Sequence, residues 1–304
     1  MANKPTSAGP NASTLTGRVA VVTGSSRGAG RAIARELGRL GATVFVTGRS
    51  SKLGTSTEGL PGTIEQTAAE VSELGGVGIP VRVDHTVEGD VRALFERVAG
   101  EARRLDILVN NAWGGYEQYD GDGFDLPYWE QPLEQRWNGM FAAGLRAMFA
   151  SNRWAAPLLL STAKAQGAPS RPPLVVHTVA WAHDVYLGNL YYDVVKSAII
   201  RMSFGMATEL RARNIAVVAV APGFMRTERV MAEHAKKPFD LGPTESPVYV
   251  GRAIAALATD PEIMADSGKL LTAGDVARRY GFTDEDGRQP EAFRIPDPAT
   301  AASS

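Results

Sequence analysis

Short apolar runs alternate along the chain with segments of helical periodicity. Seven runs rich in β-branched residues are predicted to be strands: Val19–Thr23, Thr43–Thr47, Ile79–Asp84, Leu105–Asn110, Leu174–Thr178, Ile215–Val220 and Lys269–Thr272. Between the strands, apolar residues recur three and four positions apart, as Ile33, Leu37 and Leu40 do, which indicates helices with one buried face. Strands that are apolar on both faces and separated by helices indicate a parallel sheet covered on both sides. The prediction is an α/β fold, a doubly wound parallel sheet of about seven strands flanked by helices.

The same pattern predicts a single domain with one further segment at each end. Residues 1–16 are polar and lack the apolar stretch of a secretory signal, so we expect a flexible N-terminal tail. The domain itself is expected to cover residues 17–281. Residues 282–304 contain acidic residues, glycine and three prolines, and we expect a weakly structured C-terminal extension that wraps the surface or a neighbouring subunit.

Within the domain, the aromatic and glycine-rich segment Trp113–Pro132 is typical of a loop or lid. Long helices are expected over about Leu133–Leu160 and over Tyr192–Arg213.

Composition narrows the class of protein. The 304 residues include 32 basic and 33 acidic ones, and this balance gives no electrostatic reason to expect a nucleic acid or an anionic membrane as partner. The chain has no cysteine, which excludes disulfides, thiolate metal sites and cysteine nucleophiles. No apolar run approaches the roughly 18 residues of a membrane span, and we expect a cytoplasmic protein. His183 and His234 lack metal-ligand spacing, so no catalytic metal is expected.

A glycine-rich turn, T-G-S-S-R-G-A-G over Thr23–Gly30, joins the first predicted strand to the first helix. Gly24 permits a tight turn, Gly28 lets backbone amides approach a pyrophosphate, and Gly30 lets the helix pack close to the sheet. The N–H groups and dipole at the helix N-terminus then favour phosphate. A glycine-rich loop can also be an ordinary connection. Its place between a buried strand and an amphipathic helix favours a Rossmann-type site for a nicotinamide dinucleotide.

The end of the second strand bears on which dinucleotide binds. An NAD site usually has an acidic residue there for the ribose 2′-hydroxyl. Here Thr47 and Gly48 are followed by Arg49, and Arg27 lies in the phosphate turn. An arginine pair suits a 2′-phosphate, although both could be solvated surface residues. We expect NADP(H), with NAD(H) as the less favoured alternative.

Tyr192 and Lys196 are candidates for acid–base chemistry, because residues four apart share a helix face. An ammonium near the phenol would lower the tyrosine pKa and adapt it to proton transfer near neutral pH. Such a pair is common on solvated helices, but its presence together with the dinucleotide turn favours a catalytic role.

Together these motifs resemble those of the short-chain dehydrogenase/reductase family over roughly Leu15 to Leu271. The family's T-G-x-x-x-G-x-G corresponds to Thr23–Gly30, and its Y-x-x-x-K to Tyr192 and Lys196. Its remaining motifs correspond to Asn110-Asn111-Ala112 for N-N-A, Pro222-Gly223 with Thr227 for P-G-x-x-x-T, and Asp84 for the aspartate that contacts adenine.

The resemblance implies a function and a site. Tyr192 would donate a proton to a substrate carbonyl while NADPH delivers hydride, and Lys196 would hold the nicotinamide ribose. Pro222, Gly223 and Thr227 would border the nicotinamide. The full set of residues expected at the cofactor is Gly24, Ser26, Arg27, Gly28, Ala29, Gly30, Arg49, Asp84, Asn111, Ala112, Tyr192, Lys196, Pro222, Gly223 and Thr227. The resemblance also implies a homodimer or homotetramer that packs through the two long helices.

Three positions depart from the family pattern. The family serine, 13 residues before the tyrosine, is Val179 here, and Thr178 could replace it. His177 and His183 are other polar residues nearby. The family glycine after N-N-A is Trp113, and the family asparagine, seven residues after a tryptophan, is Gly144 after Trp137.

The loops at the carboxyl edge of the sheet are expected to form an apolar pocket for a bulky carbonyl or alcohol. Its candidate lining residues are Trp113, Tyr116, Tyr119, Trp181, His183, Tyr186 and Tyr191. The segment from Glu228 to Pro247 is expected to be a mobile flap. A different class of function, a dinucleotide-binding sensor or scaffold without turnover, remains open because serine and asparagine are missing. A hydrolase is disfavoured because the only G-x-S-x-G match in the sequence, Gly24–Gly28, is part of the dinucleotide turn.

Overall fold

The computed structural model describes residues 14–54, 56–117, 121–166, 171–181 and 185–293. These residues form one seven-stranded sheet with the strand order β3-β2-β1-β4-β5-β6-β7, and every neighbouring pair is parallel. The strands are β1 Val19–Val22, β2 Thr43–Gly48, β3 Val77–Arg82, β4 Ile107–Asn110, β5 Leu174–Thr178, β6 Ala216–Ala221 and β7 Leu270–Thr272. The predicted doubly wound sheet is confirmed, with strand ends shifted by one or two residues.

The helices are α1 Gly28–Arg39, α2 Ile64–Glu73, α3 Glu88–Glu101, α4 Leu133–Arg136, α5 Ala147–Gln166, α6 Leu190–Leu210, α7 Glu228–Lys236, α8 Pro247–Thr259 and α9 Ala273–Tyr280. Several begin at the residue their sequence favours. Thr63, Asn189, Thr227, Ser246 and Thr272 each accept a hydrogen bond from a first-turn amide of the helix that follows, which satisfies one of its free donors.

Both faces of the sheet are buried, because alternate strand residues point to opposite sides. Ala20 and Val22 of β1 pack with α1, α2, α8 and α9. Val19 and Val21 pack on the other face with α3, α5 and α6. Since β2 and β4 lie on either side of β1, the chain reverses its winding at that strand, and a crevice opens at the carboxyl ends of β1 and β4.

The single helix predicted over Leu133–Leu160 is wrong in its middle. Between α4 and α5 the backbone forms a π-helix over Trp137–Arg146. The widened turn contains Gly144, which lies against the ring of Trp113. A π-helix depends on tertiary packing of this kind more than on local periodicity, so the sequence pattern does not distinguish it from an α-helix.

The ends of the domain are packed more closely than predicted. Leu15, placed in the flexible tail by the sequence pattern, is 1% exposed, and its N–H donates to the Leu40 carbonyl at 2.7 Å. In the C-terminal extension, Asp284 is buried and the Tyr249 hydroxyl donates to the Pro290 carbonyl at 2.9 Å. Among the described residues, none of the helices combines the length and apolar content that a membrane crossing requires.

Candidate active site

The crevice at the carboxyl ends of β1, β2, β3 and β4 encloses about 1070 Å³, part of it open to solvent. The glycine-rich turn forms its floor, and residues from the flap segment cover it. Nine of the residues predicted at the cofactor line this crevice: Gly24, Ser26, Arg27, Gly28, Arg49, Asp84, Asn111, Ala112 and Thr227. The structure therefore gathers most of the predicted cofactor set into one cleft.

The glycine turn has the geometry expected of a phosphate cradle. Gly24 has φ +63°, and a Cβ there would lie 2.7 Å from the Ala112 Cα, so only glycine fits without a shift. A Cβ at Gly30 would collide with the Gly24 carbonyl. Helix α1 begins at Gly28, whose N–H donates to the Glu228 carboxylate at 2.9 Å. An oxyanion therefore already lies at the helix N-terminus where a pyrophosphate is expected.

The two arginines predicted for a 2′-phosphate lie at the same cleft, but both contact protein groups. Arg27 donates to the Thr57 and Ser50 hydroxyls, each at 2.9 Å, and so holds the loop that follows β2. Arg49 forms an ion pair with Glu117. Burial lowers the pKa of Arg27, and the charge of nearby Arg49 lowers it further. Both arginines line the same cleft.

Asp84 and His85, which follow β3, also line the cleft. The Asp84 carboxylate accepts hydrogen bonds from the hydroxyl and the N–H of Thr86, which help to hold its pKa below the ordinary value even though burial acts to raise it. His85 Nε2 lies 2.8 Å from the Thr47 hydroxyl, and burial lowers the pKa of this histidine to about 4, so its ring is neutral. Among the described residues, His85 Nδ1 is buried without a hydrogen-bond partner.

Helix α6 carries Tyr192 and Lys196, and both side chains lie against Trp113, which lines the cleft. Asn189 fixes the start of this helix, because its side-chain oxygen accepts the Tyr192 N–H at 3.0 Å. The Tyr192 ring packs edge-on against Trp113 at 5.6 Å between ring centroids. The Lys196 Nζ lies 3.4 Å from the centroid of the Trp113 ring and 5.0 Å from that of Tyr192. Trp113 therefore contacts both members of the predicted pair.

The electrostatics of the pair differ from the expectation. Burial raises the pKa of Tyr192, and a hydrogen bond from the Tyr116 side chain lowers it in part. Burial also lowers the pKa of Lys196 to about 7. The predicted lowering of the tyrosine pKa by the ammonium is therefore wrong for this arrangement. Desolvation outweighs the charge, because both groups lie in an apolar cluster.

The structure separates the two candidates for the missing serine. Val179 is buried in the apolar cluster that also contains Tyr192. Thr178, the preceding residue and the last of β5, has its hydroxyl directed to β4, where it donates to the Asn111 side-chain oxygen at 3.3 Å. This hydroxyl is engaged with the end of β4 rather than with the tyrosine. His177 is fully buried between the Asn152 amide and the Ser203 hydroxyl, and burial lowers its pKa to about 3, while His183 lies outside the described residues.

The motif Pro222-Gly223 after β6 rests on a buried acid. Glu245 is 2% exposed, accepts the Gly223 N–H, and would lie 2.7 Å from a Cβ at Gly223. The pKa of Glu245 is raised to about 7, mainly by desolvation and further by the charge of Asp284. The Gly223 N–H and the charge of Arg226 act to lower it. The backbone that would border the nicotinamide is therefore supported by a carboxyl that is largely protonated below neutral pH and loses its proton near pH 7.

A second cavity of about 620 Å³ lies beyond the Tyr192 and Lys196 pair. Lys196 forms part of its wall, together with Trp181 and Tyr186, two of the predicted substrate-pocket residues. Trp113 and Tyr116 line the dinucleotide cleft instead. Tyr191 donates to the Tyr128 carbonyl at 3.4 Å. Two further predicted pocket residues, Tyr119 and His183, lie outside the described residues.

These features define a dinucleotide-binding α/β enzyme. The residues present fit a nicotinamide dinucleotide, because the Gly28 amide binds an oxyanion, His85 Nδ1 lacks a partner among the described residues, and Gly24 allows close approach. The sequence model for short chain dehydrogenases matches residues 18–238. The chain belongs to this family of NAD(P)-dependent oxidoreductases.

The chain is also similar to individual proteins. It is 37% identical over 287 residues to dehydrogenase/reductase SDR family member 1 of Mus musculus, covering 90% of this chain and 85% of that one. Among solved structures, a short chain dehydrogenase from Mycobacterium thermoresistibile superposes with a TM-score of 0.74 at 23% identity, covering 93% of this chain and 95% of that one.

Two further structures of the same fold contain different dinucleotides. A Shigella flexneri protein titled a short chain dehydrogenase, with a TM-score of 0.69, 23% identity and coverage of 86% of this chain and 99% of its own, is complexed with NADP. An NADH-dependent reductase with a TM-score of 0.68, 21% identity and coverage of 86% and 96% is complexed with NAD. At this identity they show the fold alone, and the choice of dinucleotide depends on the residues of this chain.

Sequence reasoning missed contacts that join distant segments. Glu228 was expected only in a flap, yet it contacts the phosphate turn. Trp113 and Tyr116 were expected only to line the pocket, yet they contact Lys196 and Tyr192. The substitutions at Trp113, Gly144 and Val179 were visible signals that the surroundings of the catalytic pair had changed.

Proposed function

We propose that this protein is an NADP(H)-dependent reductase of bulky, apolar carbonyl compounds, or in reverse a dehydrogenase of the corresponding alcohols. One observation carries the proposal. Trp113 lines the dinucleotide cleft and contacts both Tyr192 and Lys196, and Lys196 in turn lines the second cavity. A cofactor in the first and a carbonyl in the second would meet at the tyrosine.

The chemistry assigns a role to each residue. NADPH, when bound, supplies a hydride, which is a hydrogen with both bonding electrons, to the carbonyl carbon. As the C=O π electrons move onto oxygen, the Tyr192 hydroxyl transfers its proton to that oxygen and leaves a phenolate, which regains a proton from solvent. Lys196, whose Nζ lies 5.0 Å from the centroid of the Tyr192 ring, would hold the nicotinamide ribose and stabilise that phenolate.

The raised pKa of Tyr192 supports reduction as the favoured direction. A buried phenol stays protonated at neutral pH and is ready to donate, whereas oxidation of an alcohol requires the phenolate as base. The apolar wall of the second cavity, with Trp181, Val185 and Tyr186, supports a hydrophobic substrate.

The choice of NADP(H) rests on two arginines that line the cleft: Arg49, which follows β2 where an NAD site usually has an acid, and Arg27 in the glycine-rich turn. Arg49 is paired with Glu117 across the cleft, so a 2′-phosphate would replace one anionic partner by another. Guanidinium groups bind phosphate with two or more charge-assisted hydrogen bonds, which favours this exchange.

A homodimer or homotetramer follows from the same resemblance. Large apolar side chains are exposed on the two long helical segments expected at the subunit contact, among them Trp137, Phe149, Val194 and Phe204. Exposed apolar side chains of this size often mark protein–protein contacts. Light scattering on the purified protein tests this, and a monomer at assay concentration would contradict it.

A sensor or scaffold that binds the dinucleotide without turnover is the second candidate. It is favoured by Val179, which offers no hydroxyl, and by the position of Lys196 over an indole ring. A panel of ketones, quinones and steroids, followed by NADPH absorbance, separates the two. The proposed reductase oxidises NADPH with some members of the panel, whereas the sensor binds NADPH tightly and turns over none.

A further inference from the structure

We propose that Tyr116 is a catalytic residue whose hydroxyl takes the place of the serine missing at Val179, polarising the substrate oxygen together with Tyr192. This inference rests on the proposed function and extends it. The serine position is apolar, and the nearest strand hydroxyl, that of Thr178, is bonded to Asn111. The site therefore needs another hydroxyl if the carbonyl oxygen is to be held by two donors.

Tyr116 has the required position. Its ring centroid lies 6.0 Å from that of Tyr192 with 31° between the ring planes, and the two side chains are hydrogen-bonded. Trp113 and Phe124 each lie 6.1 Å from the Tyr116 ring, measured between centroids, on the loop segment that follows β4. These contacts fix the phenol of Tyr116 beside that of Tyr192.

In the proposed role Tyr116 is the donor of this bond, because a hydroxyl that donates to the Tyr192 oxygen favours the ionised form of Tyr192 and helps to lower its pKa. The substrate oxygen first takes up negative charge and then accepts the Tyr192 proton. Throughout this step the Tyr116 hydroxyl remains a hydrogen-bond donor to the substrate oxygen and the Tyr192 oxygen. No atom of Tyr116 is consumed. Its contribution is the one expected of an oxyanion-hole donor, aimed at the place where charge develops.

The flap adds a positive charge to this arrangement. The Arg229 guanidinium lies 5.4 Å from the Tyr116 ring centroid and is itself paired with Glu58 across the cleft. A cation beside the phenol makes its hydroxyl a better hydrogen-bond donor. Arg229 therefore connects the position of the flap to the strength of the donor.

The test uses Tyr116→Phe, which removes one oxygen and keeps the ring. We expect kcat for carbonyl reduction to fall by about 100-fold, as for removal of an oxyanion-hole donor, while the Kd of NADPH changes less than about twofold. The matched control is Tyr128→Phe, since the Tyr128 side chain is 52% exposed and should leave kcat unchanged. Restoring the family hydroxyl with Val179→Ser in the Tyr116→Phe background should recover at least tenfold in kcat, and a purely structural role would not predict this rescue.

A second readout does not depend on turnover. In protein labelled with ¹³C at tyrosine Cζ, the eight tyrosine signals can be titrated and Tyr192 assigned by its loss in Tyr192→Phe. Tyr116→Phe should raise the pKa of Tyr192, because the phenolate loses a donor; Lys196, Trp113 and Phe124 face the same ring and are unchanged. Unchanged kcat together with an unchanged Tyr192 titration overturns the inference. A wild-type protein without any carbonyl turnover refutes the proposed function and the catalytic role together, and the titration then shows whether the two hydroxyls are paired.

Discussion

The indole ring of Trp113 fills the space beside Gly144, where any larger residue would place its side chain. A Cβ at Gly144 would lie 2.5 Å from Cζ3 and 2.8 Å from Cε3 of that ring. The family pattern has glycine at the position of Trp113 and asparagine at the position of Gly144. In this chain the larger side chain is therefore at position 113 and the smaller one at position 144. The same ring lies under the Lys196 ammonium at 3.4 Å from its centroid. The ring that fills the space beside Gly144 thus also makes a cation–π contact with Lys196.

Gly144→Asn should destabilise the protein by about 1–3 kcal/mol, because it forces overpacking against the indole. Trp113→Gly alone leaves a cavity, and the double variant Trp113→Gly/Gly144→Asn should be more stable than the sum of the single effects. Urea unfolding of all four proteins measures this coupling. Gly100→Asn is the matched control, since a Cβ there meets no atom within 4 Å and its effect should be small. Additive single effects would show that the two positions are independent.

Glu228→Gln should tighten NADPH binding by about 2- to 5-fold at low salt. The wild-type carboxylate accepts the Gly28 N–H at 2.9 Å, so it competes with the pyrophosphate and repels it. Fluorescence titration with NADPH measures the Kd, and the gain should shrink as salt screens the charge. Glu233→Gln, an exposed change on the same helix, should leave the Kd unchanged. Weaker binding in Glu228→Gln would mean that the carboxylate supports the site instead of competing for it.

Arg49→Ala should lower the affinity for NADPH by about 10- to 100-fold, because charge-assisted hydrogen bonds to the 2′-phosphate are lost. The affinity for NADH should stay within about twofold. Parallel titrations with both cofactors give the ratio, and Arg92→Ala on the outer surface of α3 serves as control. Equal losses for the two cofactors would assign Arg49 to the structure of the cleft and remove the basis for NADP(H).

Glu245 should make stability depend on pH. Burial raises its pKa from 4.5 to about 7 in the folded protein, and the groups facing it are the Gly223 amide, Arg226 and Asp284. Between these two pKa values the folded state holds a proton that the unfolded state has released, so this residue's contribution to stability falls as pH rises through the interval. Above pH 7 the cost is constant, at most about 3 kcal/mol.

Glu245→Gln removes this cost. The variant should be more stable than wild type at pH 8.5 and nearly equal to it at pH 5, as measured by thermal unfolding at both values. Glu209→Gln is the control because it changes an exposed carboxylate. A difference between wild type and Glu245→Gln that does not vary with pH would show that the carboxyl keeps its ordinary pKa.

The fold could be predicted because its signals are local. Each strand is a short β-branched run, and the dinucleotide turn requires glycines at positions such as Gly24, where a positive φ and a close backbone approach leave no room for a side chain. The spacing of Tyr192 and Lys196 likewise indicates one helix face. For these features neighbouring residues in the sequence are neighbours in space.

The environment of the site could not be predicted, because it depends on contacts between distant segments. Glu228 reaches the turn at Gly28 only after the whole sheet is assembled. Burial by packed aromatic rings sets the pKa of Tyr192 and of Lys196, and spacing along a helix carries no information about it. In the sequence, Trp113 and Gly144 are two separate differences from the family pattern. Only the structure shows that the large side chain of one fills the space left by the other.

The most direct test of the central claim is single-turnover reduction with NADPH that carries deuterium at both C4 positions and a ketone found in the panel, comparing wild type with Tyr192→Phe. In wild type, the product alcohol should gain one deuterium per NADPH consumed. In Tyr192→Phe, which still binds the cofactor, the rate should fall by about 10²- to 10⁴-fold because the proton donor is missing. Deuterium transfer at the wild-type rate in Tyr192→Phe would contradict the account.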